Sequence, residues 1–340
     1  MKEENRVVDQ WHRPLRDLRI SVTDQCNFRC TYCMPKEIFD TNYPFLTEQE
    51  LLSFDEIERI ARQFAKAGVE KIRITGGEPL LRRGLPELLE RLRMIDGIHD
   101  IALTTNGVLL PKLAKDLKRA GMDRVTVSLD TLDEALFGKI NGRGVGVQPI
   151  LKGIDAAQEA GLQVKINMMV KKGVNDQEIL PMARYFKNTS HVLRFIEYMD
   201  VGNSNDWNRE EVLTKNQIVN LIGKEHPLEP VPGHYFGEVA KRYRYRDGTG
   251  EIGIISSISD SFCSTCTRAR LSADGKVYTC LFAAKGTDFK HYIRSGVTDE
   301  DIYERVLRTW AYRIDRYSDE RRDQTAADRR KKIEMSYIGG

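Results

Sequence analysis

The chain reads as an α/β protein, an incomplete (β/α)6 TIM-like barrel with a smaller C-terminal α+β region. Three observations predict this. Six strand-like runs alternate with helical patterns, and those strands alternate polar with apolar residues instead of running wholly apolar. A breaker-rich cluster near residue 226 is then followed by short strands. The barrel is expected over 1–225 and the second region over 226–340.

In order, 17–23 sets Leu18, Ile20 and Val22 against Arg19, Ser21 and Thr23, and 71–75 sets Ile72 and Ile74 against Arg73 and Thr75. After 101–105, the run 124–129 sets Val125, Val127 and Leu129 against Thr126 and Ser128. The fifth, 163–170, sets Val164, Ile166 and Met168 against Lys165 and Asn167, and 192–197 completes the series. Helical patterns lie at 54–67, 86–95, 111–120, 150–160 and 176–186, with Gly68, Gly121 and Gly161 where helix C-termini favour a left-handed residue. Such repeats imply parallel strands joined by right-handed crossovers. Buried parallel strands ordinarily run continuously apolar. Here the apolar faces go to the helices and the other faces share a polar, cationic interior. A closed eight-stranded barrel fills its interior with Val, Ile and Leu, so a wide, incompletely closed one that admits substrate fits better. The stretch 226–233 is expected to be a boundary or long loop. Beyond it come short strands at 238–245, 252–256, 268–271 and 277–280, with Ala273-Asp274-Gly275 turning between the last two. The mixed charges of 313–332 suggest a solvated helix face.

Lys and Arg number 53 against 50 Asp and Glu, a formal net charge of +3. This excludes a strongly basic nucleic-acid surface but not a local cationic pocket. No apolar run approaches the ~20 residues that span a bilayer, and the first ten residues lack the apolar stretch of a signal peptide. A cytoplasmic protein with no nucleic-acid or membrane partner, monomeric or homodimeric, is expected. In that compartment cysteines serve metals or catalysis more often than disulfides.

All six cysteines fall into two groups. Cys26, Cys30 and Cys33 form C-x3-C-x2-C, and Cys263 and Cys266 form C-x2-C with Cys280 beyond them. Inert buried thiols would not cluster so. A structural zinc site wants four ligands; each group supplies three, and His12, His99 and His191 stand isolated. Three thiolates suit a cubane iron–sulfur cluster, with one iron left open to a small molecule.

The stretch 18–35, LRISVTDQCNFRCTYCMP, resembles the signature of radical S-adenosylmethionine enzymes, with Asn27, Phe28 and Tyr32 flanking the cysteines and Gly76-Gly77-Glu78-Pro79 following. The resemblance implies that S-adenosylmethionine occupies the open iron through its amino and carboxylate groups. One electron then splits the sulfonium, and a 5′-deoxyadenosyl radical abstracts hydrogen. In the second group, Arg268 and Arg270 project from one side of a strand. Two guanidinium forks beside a metal centre, near Arg19, Arg73 and Lys165, suit a phosphorylated polyanion.

From near residue 9 to the C-terminus the chain is similar to the GTP 3′,8-cyclase family of molybdenum cofactor biosynthesis. That likeness implies two [4Fe–4S] clusters, one on Cys26, Cys30 and Cys33, the other on Cys263, Cys266 and Cys280 with its open iron on the guanine of GTP. Hydrogen leaves ribose C3′, the carbon attacks guanine C8, and reduction yields 3′,8-cyclo-7,8-dihydro-GTP. An electron donor and a downstream cyclic pyranopterin monophosphate synthase are implied partners. Implied S-adenosylmethionine contacts are Tyr32, Gly77, Ser128 and Met199. Implied GTP contacts are Arg19, Arg73, Thr104, Lys165, Arg268, Ala269 and Arg270, with a catalytic part for Arg19 and the terminal Gly339 and Gly340. Gln25 stands where the family often has arginine, and Trp11-His12 where Phe-Gly is common. The competing expectations are a radical enzyme that modifies peptides with an auxiliary cluster, and a non-catalytic zinc module.

Overall fold

The computed structural model describes residues 6–321 and 332–339. The barrel half alternates β1 (Asp17–Ser21), α1 (Phe54–Lys66), β2 (Lys71–Thr75), α2 (Leu85–Arg93), β3 (Asp100–Thr105), α3 (Leu110–Arg119) and β4 (Arg124–Ser128). It continues with α4 (Glu134–Ile140), α5 (Gln148–Glu159), β5 (Gln163–Val170), α6 (Ile179–Phe186) and β6 (Val192–Glu197). Then follow α7 (Lys215–Glu225), β7 (Leu228–Val231), β8 (Ala240–Tyr245), β9 (Glu251–Ile255), β10 (Arg268–Leu271), β11 (Lys276–Tyr278) and β12 (Thr287–Asp288). The described helices close with α8 (Lys290–Arg294), α9 (Asp299–Ala311), α10 (Tyr317–Glu320) and α11 (Met335–Ile338).

The strands form one sheet in the order β12-β11-β10-β1-β2-β3-β4-β5-β6-β9-β8-β7. From β10 to β9 every neighbour is parallel, while β11, β12, β8 and β7 add antiparallel margins. The expected barrel strands are all present. Strands of the second region do not build a sheet of their own: β10 zips onto β1 and β9 onto β6. Both edges of the six-stranded barrel, which would otherwise expose unpaired N–H and C=O groups, are thereby covered. Leu18, Ile20, Ile72, Ile74, Val125, Val127, Val164, Ile166 and Met168 are buried in one core with the helices. That burial leaves the opposite strand faces to the lumen. Among the described residues no helix is long and apolar enough to cross a membrane.

Three expectations are corrected. The stretch expected as a loop after residue 226 contains β7, whose Pro230 sits opposite Tyr243 on the outermost strand of the sheet; an edge strand tolerates proline because its outer side needs no donor. Helices α4 and α7 were not expected, although Thr214 and Gln217 form a capping box at the start of α7. Finally, Arg313 and Lys332, the ends of the supposed solvated face, are only 4% and 6% exposed. Residues 322–331 between them lie outside the described set. His12 has φ 58°, a left-handed backbone that glycine adopts without strain, which accounts for the glycine common at that place.

Candidate functional site

The lumen is an open chamber, and all six cysteines line it. The first triad follows the carboxyl end of β1, where parallel α/β folds place their sites. The unforeseen α4 holds its loop: Arg29 N–H donates to the Asn141 carbonyl at 2.8 Å and Thr31 N–H to that of Ile140 at 3.0 Å. Arg29 also donates to the carbonyls of Cys26 (2.7 Å), Phe28 (2.8 Å) and Phe39 (2.6 Å). Gly77 packs backbone to backbone against Asp24 and Gln25, where a Cβ would collide, and Glu78 N–H donates to Gln25 at 2.8 Å. The Gly-Gly turn thus braces the loop that leads into Cys26.

The second triad lies between β9 and β12. Cys266 N–H donates to the Cys263 carbonyl at 3.2 Å, and Phe282 N–H approaches the Cys280 sulfur at 3.5 Å. The two groups differ in charge environment. Burial, with Glu78 next, pushes the Cys26 thiol up to about 11. Burial and Cys26 take Cys33 to about 12, and burial with Cys33 and Cys26 beside it raises Cys30 too. Burial and Asp315 raise Cys280 to about 12. Burial alone would raise Cys266, yet Arg268 and Arg313 bring it down to about 6.

Strand register assembles the cations. Arg19 on β1 stands beside Arg73 on β2 and Arg270 on β10, and Asp17 beside Arg268. Neighbouring strands lie ≈ 4.8 Å apart, so three guanidinium groups share one row. Burial first, then Arg270, Arg73 and Arg268, hold Arg19 well below its ordinary value; burial and Arg268 lower Arg270 to about 10. Thr104, Thr126 and Lys165 form a second row and Ser128, Asn167 and Arg194 a third. Burial, followed by Arg194, Arg124 and Arg73, depresses the Lys165 ammonium to about 8. The lumen is not purely cationic, for Asp17 and Glu238 line it as well.

Of the residues the sequence singles out, Arg19, Tyr32, Arg73, Gly77, Thr104, Ser128, Lys165, Met199, Arg268 and Arg270 line this chamber. Ala269 does not: strand alternation turns its side chain into the helix-side core. Gly339 is not among the lining residues either, but its carbonyl accepts from Arg270 Nη1, while Met335 and Ser336 of the same tail do line the chamber. Gly340 lies outside the described residues. Sequence reasoning missed Arg194, buried in the lumen on β6, because Val192 and Ile196 on the same face are apolar and mark no polar side. Of two acids just past strand ends, it placed Glu78 only within the Gly76-Gly77-Glu78-Pro79 motif, with no role, and missed Asp130. Glu78 accepts from Thr105 Oγ1 (2.7 Å), Asn106 N–H (2.7 Å) and Leu80 N–H (3.0 Å); burial still lifts it to about 7. Asp130 accepts from Tyr32 Oη (2.6 Å) and Met169 N–H (2.8 Å), with burial raising it to about 6.

The donor set suits iron–sulfur clusters. All six cysteines are free thiols, and irons in such clusters take sulfur ligands. Among the described residues no three His, Cys, Asp or Glu side chains converge as a single ion would need; a cubane asks less, since each thiolate meets a different iron. Thr104 Oγ1, Asn167 Oδ1 and Arg194 Nε are buried in the lumen without a hydrogen-bond partner, which suits a polar guest.

Residues 20–186 match the family described as Radical SAM superfamily and residues 191–319 the one described as Molybdenum Cofactor Synthesis C. GTP 3′,8-cyclase of Staphylococcus haemolyticus (strain JCSC1435) is 54% identical over 98% of this chain and 99% of its own. GTP 3′,8-cyclase of Staphylococcus aureus (strain MRSA252) is 55% identical over the same shares. The crystal structure of Streptococcus suis SuiB bound to S-adenosylmethionine has a TM-score of 0.59 at 17% identity, covering 92% of this chain and 69% of that one. At that identity the likeness is one of fold.

Proposed function

The chain belongs to the GTP 3′,8-cyclase family of radical S-adenosylmethionine enzymes, and from that premise we propose which of its residues carry the reaction. The reaction converts GTP to (8S)-3′,8-cyclo-7,8-dihydroguanosine 5′-triphosphate, the first step of molybdenum cofactor biosynthesis, with S-adenosylmethionine and two [4Fe–4S] clusters. When bound, the clusters supply the electron that cleaves S-adenosylmethionine at one triad and an open iron for guanine at the other. Cys26, Cys30 and Cys33 hold the first, and Cys263, Cys266 and Cys280 the second.

Tyr32, Gly77, Ser128 and Met199 then cradle S-adenosylmethionine, with Asp130 fixing the Tyr32 hydroxyl. Arg19, Arg73, Lys165, Arg268 and Arg270, with Thr104 and the Ala269 backbone, receive GTP. Arg194 belongs with them. Arg19 and Gly339 lie at the reacting side of the substrate. The observation that carries this assignment is the Arg73–Arg19–Arg270 row, facing the same chamber as both triads. Cations so crowded lose the repulsion among them when a triphosphate enters, which gives a peptide substrate no comparable use for them. A one-electron donor and a cyclic pyranopterin monophosphate synthase complete the proposal, as does a monomer or homodimer in the cytoplasm. The six free thiols support a reducing compartment.

Anaerobic incubation with GTP, S-adenosylmethionine and reductant is expected to release 5′-deoxyadenosine only when GTP is present. GTP-independent release, or none from a fully reconstituted chain, rejects the assignment.

GTP affinity is expected to depend on Lys165. A bound polyanion favours its charged form, so Lys165 in the complex titrates above its GTP-free value of about 8. Its contribution is therefore complete below that value and declines as pH rises through it. Calorimetry of Lys165→Arg, which stays charged, is expected to lack the part of the alkaline decline seen only in wild type. Parallel profiles for the two proteins would remove Lys165 from the phosphate site.

A further inference from the structure

Arg313 touches the second triad from outside the lumen row. Its Nη2 donates to the Cys266 sulfur at 3.2 Å and its Nη1 to the Cys266 carbonyl at 2.9 Å. Asp315 accepts from Nε at 2.8 Å, and Asp9 lies 3.6 Å from Nη1. The guanidinium rests over the Trp310 ring, 4.6 Å from its centroid. Asp9 also accepts from Arg13 Nε at 2.6 Å, and Arg13 Nη1 donates to the Cys263 carbonyl at 2.8 Å. Two buried arginines, joined through one aspartate, therefore each grip the backbone of one cysteine, and one of them also aims a donor at a sulfur.

We infer that Arg313 is a positioning residue of the second iron–sulfur site, holding the Cys266 sulfur in place and raising the reduction potential of the cluster bound there. The inference rests on the reading that Cys263, Cys266 and Cys280 hold a cluster. Backbone donation alone would pin the loop; the bond to sulfur does something more. One-electron reduction brings no proton and adds negative charge that spreads onto the ligand sulfurs. A cationic donor on one of those sulfurs stabilises the reduced state, and hydrogen bonds to sulfur are a main lever on cluster potential. Burial strengthens the effect because little water screens it. Asp9 and Asp315 hold the guanidinium against the loop.

The test uses the full chain in a Cys30→Ala background, which leaves the second triad intact, reconstituted anaerobically and titrated with dithionite under electron paramagnetic resonance. Iron and acid-labile sulfide are assayed first, in that background and in wild type. Arg313→Met is expected to keep the cluster and lower its reduction equilibrium constant about tenfold, equivalent to 59 mV for a one-electron couple. Arg313→Lys keeps the charge but cannot reach sulfur and carbonyl together, so a smaller fall in the same direction is expected. Should Arg313→Met not fold, Arg313→Lys decides alone. Unmoved midpoints in cluster-loaded variants overturn the inference and leave the cluster reading standing. A Cys30→Ala chain that loads no iron and sulfide overturns both.

Discussion

Cys30→Ala is expected to abolish 5′-deoxyadenosine release while leaving the fold and GTP binding close to wild type. Each triad offers three sulfurs and no spare, so the loss of one leaves a cubane with too few anchors. Little of the loop depends on the thiol itself. The Cys30 carbonyl still accepts from Cys33 N–H at 3.0 Å and Met34 N–H at 2.9 Å, and Arg29 still ties the loop to the Phe39 carbonyl. Burial and the neighbouring Cys33 and Cys26 already hold that thiol in its protonated form without metal, so alanine removes a group the empty site strains to ionise. Iron and sulfide are expected to fall by half, with an unchanged thermal melt of the apoprotein and an unchanged GTP isotherm. Wild-type release of 5′-deoxyadenosine from this variant would mean that the first triad is not where S-adenosylmethionine is cleaved.

Much of this site was legible because strand alternation is a strictly local signal. Arg19, Arg73 and Lys165 could be placed in the lumen from period two alone, and the cysteine spacing marked both ligand groups. What alternation cannot supply is the identity of the neighbouring strand. That β10 would lie beside β1, putting Arg270 next to Arg19, depends on closing a loop of well over two hundred residues, and nothing local encodes it. Arg194 escapes the alternation signal because it shares its face of β6 with the apolar Val192 and Ile196. Arg313 was misjudged for a different reason. Mixed charge usually marks a solvated face, yet an arginine can be buried if acids and a soft anion meet it, and Asp9, Asp315 and Cys266 are distant from it in sequence or hidden in the same charged stretch. The glycine-rich turn at Gly77 was read as a motif; its physical necessity, the close approach to Asp24 and Gln25, is visible only in three dimensions.

Arg268→Ala and Arg270→Ala are each expected to weaken GTP binding by about 1.5–3 kcal/mol, the range for hydrogen bonds to charged groups, or roughly one to two powers of ten in Kd. The effect of Arg270→Ala on the empty protein should run the other way. Burial first, and then the neighbouring arginines, depress Arg19 and Arg270, whereas Cys266 and Asp17 outweigh burial at Arg268 and raise it. Removing Arg270 relieves part of the repulsion among the arginines, so the melt of GTP-free Arg270→Ala is expected at or above that of wild type even as affinity falls. A residue that merely held the fold together would lower both. The two arginines are not equivalent. Arg268 lies over the Phe262 ring at 4.9 Å and is held toward Cys266, whereas Arg270 donates to the carbonyls of Ile338 and Gly339. Arg270→Ala should therefore also free the C-terminal tail and depress turnover at saturating GTP, whereas Arg268→Ala should act chiefly on affinity. Because both forks meet one ligand, the double variant is expected to depart from the sum of the single losses. Arg270→Lys, which keeps the charge without the fork, is expected to fall between wild type and alanine in affinity. Calorimetry, thermal melts and single-turnover assays on these variants separate the possibilities: wild-type affinity in both alanine variants removes the pair from the triphosphate site, and a destabilised empty Arg270→Ala chain assigns Arg270 to the fold instead.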